Sequence, residues 1–194
     1  MVRILLVQPG ATEFDEQGRI KGSLDLPLSP AGLDQADRIA HELEHVALDA
    51  IYAAPCQSAA RTAAALARGR KVRVKTIEKL KNLDHGLWHG KRIADMRQKQ
   101  PKIYRQCQDN PEMVCPPDGE SVAAATARTQ SALHKIVKRH KDKCVALVVP
   151  EPLATIVCCQ LQQRAIDEFW GAEQDCGEWT MVEMTLDPVP AAGQ

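Results

Sequence analysis

Short apolar runs alternate with longer amphipathic stretches along most of the chain. Arg3 to Val7 is apolar after its first residue and stops at Gln8-Pro9-Gly10, which predicts a strand closed by a turn. Ser29-Pro30 then opens a helical pattern. Ser29 is an N-cap residue, Pro30 suits the first helical position, and Leu33, Ala36, Ile39, Ala40, Leu43 and Ala47 recur at helical spacing. Asp49 to Ala53 reads as a second buried strand and Pro55 to Ala67 as a second helix. Lys71 to Thr76 alternates basic and apolar residues, as a half-exposed strand does. Arg92 to Cys107, broken at Pro101, and Ser121 to His140 carry helical periodicity. Cys144 to Val149 is an unbroken apolar run and predicts a central strand buried on both faces. A helix is expected from Pro152, and a closing strand over Trp179 to Leu186.

Strand and helix alternating in this way predict an α/β fold, a three-layer α/β/α sandwich around a mostly parallel sheet. The chain has 194 residues, is 44% hydrophobic and has no repeat, linker or low-complexity stretch, so a single domain over residues 1–194 is expected. In such sheets ligands gather at the carboxyl ends of the strands. That directs attention to Gln8-Pro9, Ala54-Pro55 and Pro150-Glu151.

Charge adds little to this picture. The 25 basic residues balance the 25 acidic ones, so nothing global points to nucleic acid or an anionic membrane. Two basic segments, RGRKVRVK at 68–75 and KIVKRHKDK at 135–143, read as a solvated strand edge and a helix end, because aromatic residues make up only 4% of the chain. Ile4 to Val7 is too short for a signal-peptide core, and no later stretch reaches about twenty uninterrupted apolar residues. A cytoplasmic protein is expected. Its seven cysteines, without a C-x-x-C pair, read as reduced and mostly buried thiols, and no metal or cofactor is expected. HELEH at 41–45 matches a zinc-protease pattern, but His41 and His45 lie opposite the apolar stripe of their helix, so they are expected to face water.

Four motifs fall in one order: GRIKGSLDLPLSPAGLDQA at 18–36, IYAAPCQSAARTAAALA at 51–67, LDHGLWHG at 83–90 and PPDGES at 116–121. Together they resemble the histidine phosphatase superfamily, with its phosphoglycerate mutase-like fold, as far as about residue 160. The resemblance implies chemistry in which a first histidine takes the phosphoryl group, a second histidine and two arginines surround it, and a carboxylic acid protonates the leaving group. At the matching positions this chain has Gln8-Pro9-Gly10 for arginine-histidine-glycine, Ser58 for the second arginine, Asn82 for the acid and Glu151 for the second histidine.

The resemblance therefore implies a remnant pocket of Gln8, Pro9, Gly10, Asp15, Ser58, Asn82 and Glu151 with no catalytic residue, in a pseudoenzyme that binds or scaffolds. Glu151, just before Pro152, is expected at the positive end of a helix, where its carboxylate takes the place of a phosphate. Arg61, three residues beyond Ser58, is expected at the surface. The alternative is a diverged phosphatase-fold enzyme acting on a phosphorylated or other small substrate, with Asp84, His85 and His89 beside Glu151 as a general base or metal ligands. A third reading has the fold supporting an assembly, its cleft filled by its own side chains. A small molecule or a protein is the expected partner, with no nucleic acid and no membrane, and a homo-oligomer fits the pattern.

Overall fold

The computed structural model describes residues 1–166, 169–170 and 176–184. Its sheet is built from β1 (Val2–Val7), β2 (Ala50–Ala53), β3 (Val74–Thr76), β4 (Cys144–Val148) and β5 (Trp179–Met184), in the order β3-β2-β4-β1-β5. The first four strands run parallel, and β5 pairs antiparallel with β1. β4, the apolar run at the centre, is buried at all five positions, as expected of a strand covered on both faces.

Seven α-helices lie among the described residues: α1 (Glu13–Glu16), α2 (Pro30–Glu42), α3 (Gln57–Ala67), α4 (Ile93–Lys99), α5 (Pro101–Asp109), α6 (Val122–Arg139) and α7 (Leu153–Gln162). The crossovers from β1 to β2 and from β2 to β3 move one way across the sheet, whereas those through α6 and α7 move the other way. Right-handed crossovers therefore put α2 and α3 on one face and α6 on the other, where α7 packs against it, which makes the three layers. α2 packs on α3, and α6 on α7. Ser29 caps α2 by accepting from Gly32 N, and Ser121 caps α6 by accepting from Ala124 N.

Several boundaries differ from the sequence pattern. α2 ends at Glu42, so Ala47 lies beyond the helix and is exposed; Leu33, at its start, is also exposed. The strand expected from Lys71 is reduced to Val74–Thr76 and is exposed throughout, because β3 is the sheet edge. The helix expected from Pro55 starts at Gln57, and the one expected from Pro152 at Leu153. β5 reaches Met184; positions 185 and 186 of the expected strand lie outside the described residues. Among the described residues no helix is long and apolar enough to cross a membrane.

Candidate functional site

Parallel register brings the strand ends to one edge. Val148 is level with Val7 on one side and Ala53 on the other, so the chain leaves β1, β2 and β4 side by side. The backbone carries the register one residue further, with Ala54 N donating to Val148 O and Val149 N to Val7 O. The turns at Gln8 and Glu151, 143 residues apart in sequence, then touch: Gln8 Nε2 donates to Glu151 Oε1 at 2.6 Å.

Glu151 is 2% exposed. Its other carboxylate oxygen accepts from Thr155 N at 3.0 Å, in the first turn of α7, where free backbone N–H groups and the helix dipole favour a negative charge. Asn82 fastens the same turn to a third loop. Its Nδ2 donates to Glu151 O at 2.7 Å and to Gly22 O at 2.9 Å, and its Oδ1 accepts from Leu153 N at 3.3 Å. Arg128 of α6 holds that loop from behind, forming a two-pronged pair with Glu120 and donating to Lys79 O. A cavity of about 100 Å³ opens beside Gln8, Glu151, Thr155, Cys158, Arg164 and Glu178. Gln8 Oε1 is buried there with no hydrogen-bond partner among the described residues.

Pro9 and Gly10 continue the turn after Gln8. Pro9 O accepts from Gly177 N, and Gly10 N donates to Thr62 Oγ1 at 3.2 Å. Position 10 must be glycine, because a Cβ there would lie 2.0 Å from the carbonyl oxygen of Gly32. Ser58, buried one helical turn before Thr62, lies on the same side of α3.

Asp15 anchors a second cluster. Its Oδ2 accepts from both Thr12 N and Thr12 Oγ1, and its Oδ1 accepts from Lys21 Nζ at 2.6 Å, with both charged side chains almost fully buried. Cys176 adjoins this pair and Glu151. Burial pushes its thiol up to about 12; Lys21 opposes that shift, while Asp15, which also hydrogen-bonds the thiol, and Glu151 add to it. Around the site lie the carboxylates of Glu151, Glu178 and Asp15, the cations of Arg164 and Lys21, and a thiol that stays protonated at neutral pH.

His85 and His89 stand beside this site without forming a familiar catalytic pair. The His85 ring is fully buried between Trp88 and Phe169. His89 Nε2 lies 3.5 Å from Ser23 Oγ and 3.8 Å from Asp84 Oδ1. A proton relay needs the hydroxyl and the carboxylate on opposite ring nitrogens, and here both approach the same one. Asp84 Oδ1 instead accepts from Gly86 N. Among the described residues no three His, Cys, Asp or Glu side chains are grouped to hold a metal ion.

Outside the site, Arg61 is exposed beside Pro27 and Leu28 on the outer side of α3. His41 is exposed and pairs with Glu44, and His45 lies past the end of α2, so no helical HExxH face forms. None of the seven cysteines is in a disulfide, but only Cys107, Cys144 and Cys159 are buried, fewer than expected. Lys21, Thr62, Thr155 and Cys176 are site residues that the sequence reading missed. Lys21 lies within the loop motif at 18–36, which was its one signal.

The family model of the histidine phosphatase superfamily (branch 1) matches residues 4–188. Phosphoserine phosphatase 1 of Hydrogenobacter thermophilus is 29% identical over 184 residues, which cover 95% of this chain and 87% of that protein. The adenosylcobalamin/alpha-ribazole phosphatase of Escherichia coli is 20% identical over 183 residues, covering 94% and 90%. Among solved structures, Bacillus stearothermophilus YhfR superposes with a TM-score of 0.83 at 25% identity, covering 96% of this chain and 93% of that one.

Proposed function

The chain belongs to the histidine phosphatase superfamily, and we propose that within it this protein binds or scaffolds rather than transferring phosphoryl groups. One observation carries the reading: the Glu151 carboxylate, 2% exposed, sits between Gln8 Nε2 and the first turn of α7. The protein's own anion fills the cradle that a phosphate needs. A phosphate charge brought to about 4 Å from it would meet roughly 4 kcal/mol of repulsion per unit charge at an effective dielectric of 20, offset in part by Arg164 on the same cavity. The adjoining loop offers Pro9, which has no lone pair to attack phosphorus. The cavity beside Glu151, about 100 Å³, is also well below the roughly 300 Å³ at which small-molecule pockets begin.

A diverged enzyme is the second reading, favoured by the position of His89, 20% exposed and 3.5 Å from the Ser23 hydroxyl. A hydrolysis assay with an aryl phosphate and with phosphoserine, the substrate named for the Hydrogenobacter relative, separates the two. The first reading expects no turnover above buffer. Turnover abolished by His89→Asn or His85→Asn would replace it with the second.

A further inference from the structure

Lys75, the last residue of the basic segment at 68–75, lies on the same face as the segment at 135–143, away from the Glu151 cleft, whereas Arg68 and Arg70 lie against α2 and the loop after it. β3 pairs with β2, setting Lys75 opposite Tyr52, and the chain then turns through Ile77 to Lys79 beneath the C-terminal half of α6. Between them lies a cavity of about 250 Å³ lined by Tyr52, Ile77, Lys79, Lys135, Ile136 and Arg139, together with Ala132. Its lining has three cations and no carboxylate.

Lys135 and Arg139 are four residues apart on α6, so they project from the same side, separated by about 6 Å along the helix axis. Like charges at this spacing are unfavourable for an isolated helix. Among the described residues neither has an ion-pair partner. Lys79, on the facing wall, donates to the neutral Ser131 Oγ, which leaves its charge uncompensated. His140, whose Nε2 lies 2.9 Å from the Tyr52 hydroxyl, adjoins the cavity and is reached by Arg139 alone of its three cations. Burial first, then Lys143 and Arg139, hold its pKa below the usual histidine value, with Lys75 adding to this and Asp49 opposing it.

We propose that this cavity is an anion site for a small polyphosphorylated molecule. Lys135 and Arg139 supply charge from α6 and Lys79 from the opposite wall, over a floor of Tyr52, Ile77 and Ile136. Cations on two walls suit more than one phosphoryl group. A nucleic-acid strand fits less well, because Tyr52 is 5% exposed with its ring edge on His140, which leaves no aromatic face on which a base could stack.

Titration calorimetry of the full chain with tripolyphosphate, pyrophosphate and orthophosphate tests the assignment. Tripolyphosphate should bind at least about tenfold more tightly than orthophosphate, and Lys135→Glu with Arg139→Glu should weaken it by about tenfold per reversed charge. The milder pair Lys135→Ala and Arg139→Ala covers the event that charge reversal disturbs α6. Arg61→Glu, which reverses a charge on α3, should leave binding unchanged. In imidazole NMR spectra tripolyphosphate should shift the His140 resonances and leave those of His85 and His89 in place. No binding by the unaltered protein, equal binding by both α6 variants, or shifts confined to His85 and His89 would overturn the site. Single-stranded RNA displacing tripolyphosphate with an affinity that grows with length would overturn the small-molecule assignment.

Discussion

Replacing Glu151 with alanine should make the protein less stable and, at the same time, better at holding a phosphate-like anion. The carboxylate accepts from Gln8 Nε2 at 2.6 Å and from Thr155 N at 3.0 Å. Its removal leaves two donors without an acceptor in a site that is 2% exposed at position 151. A buried donor left unsatisfied costs about 1–3 kcal/mol, and an anion at a helix N-terminus contributes about 0.3–1 kcal/mol. The cavity beside Gln8 can admit water, which argues for the lower end of the range. The expected loss is therefore about 3 kcal/mol in urea unfolding, or a fall of about 6–12 °C in Tm for a chain of this size. Orthovanadate should then stabilise the variant by binding where the carboxylate was. At ten times its Kd it returns about 1.4 kcal/mol, with little effect on the unaltered protein. Glu151→Gln, which keeps one good acceptor, should lose about half as much stability. A variant within about 0.5 kcal/mol of the parent, the range of an ordinary surface change, would refute the clamp. Vanadate stabilising both proteins equally would refute the idea that the carboxylate blocks the cradle.

Other consequences are open to direct measurement. Lys21→Met should cost about 3–5 kcal/mol, because it leaves the buried Asp15 carboxylate without its cation; Asp15→Asn in the same chain should restore much of that, and unfolding of the two variants tests it. Iodoacetamide near neutral pH should modify exposed Cys115 well before Cys176, whose thiol is pushed up to about 12, or Cys107, pushed up to about 11. Equal labelling in peptide mass spectra would contradict the raised thiol pKa of Cys176. His140 has a folded-state pKa below the usual histidine value of 6.5, so as pH falls through 6.5 the unfolded chain takes up its proton first. Neutral His140 therefore contributes stability that is fully present above pH 6.5 and is lost below it. His140→Gln should flatten the decline of the urea midpoint over that window, and an unchanged slope would rule out His140 as its source.

How far the sequence was legible varies with the range of the interactions involved. β4 could be read from composition alone, because a strand covered on both faces has no polar positions to hide. α2 was readable from its cap and spacing and α6 from spacing; Ser29 makes the expected capping bond, and Ser121 makes one that was not foreseen. α1 was not, since four residues, three of them acidic, carry no periodicity; it rests on Asp15 accepting from Thr12. The meeting of the Gln8 and Glu151 turns followed from parallel register, which places successive carboxyl ends on one edge. Which atoms would bond there was beyond pattern, as it depends on rotamers. Asp15 was placed in the pocket by the resemblance alone and Lys21 was missed, because only the packing of the chain around them makes the two a buried pair. Cys176 reaches the pocket because Gly177 bonds back to Pro9, a contact with no local sequence signal.

The most direct test of a self-occupied, non-catalytic cleft is intact-protein mass spectrometry after incubation with phosphoserine and with an aryl phosphate, coupled to measurement of released phosphate. The account predicts an unmodified mass and phosphate release equal to buffer. A phosphohistidine adduct at His85 or His89, or turnover that depends on either, would contradict it.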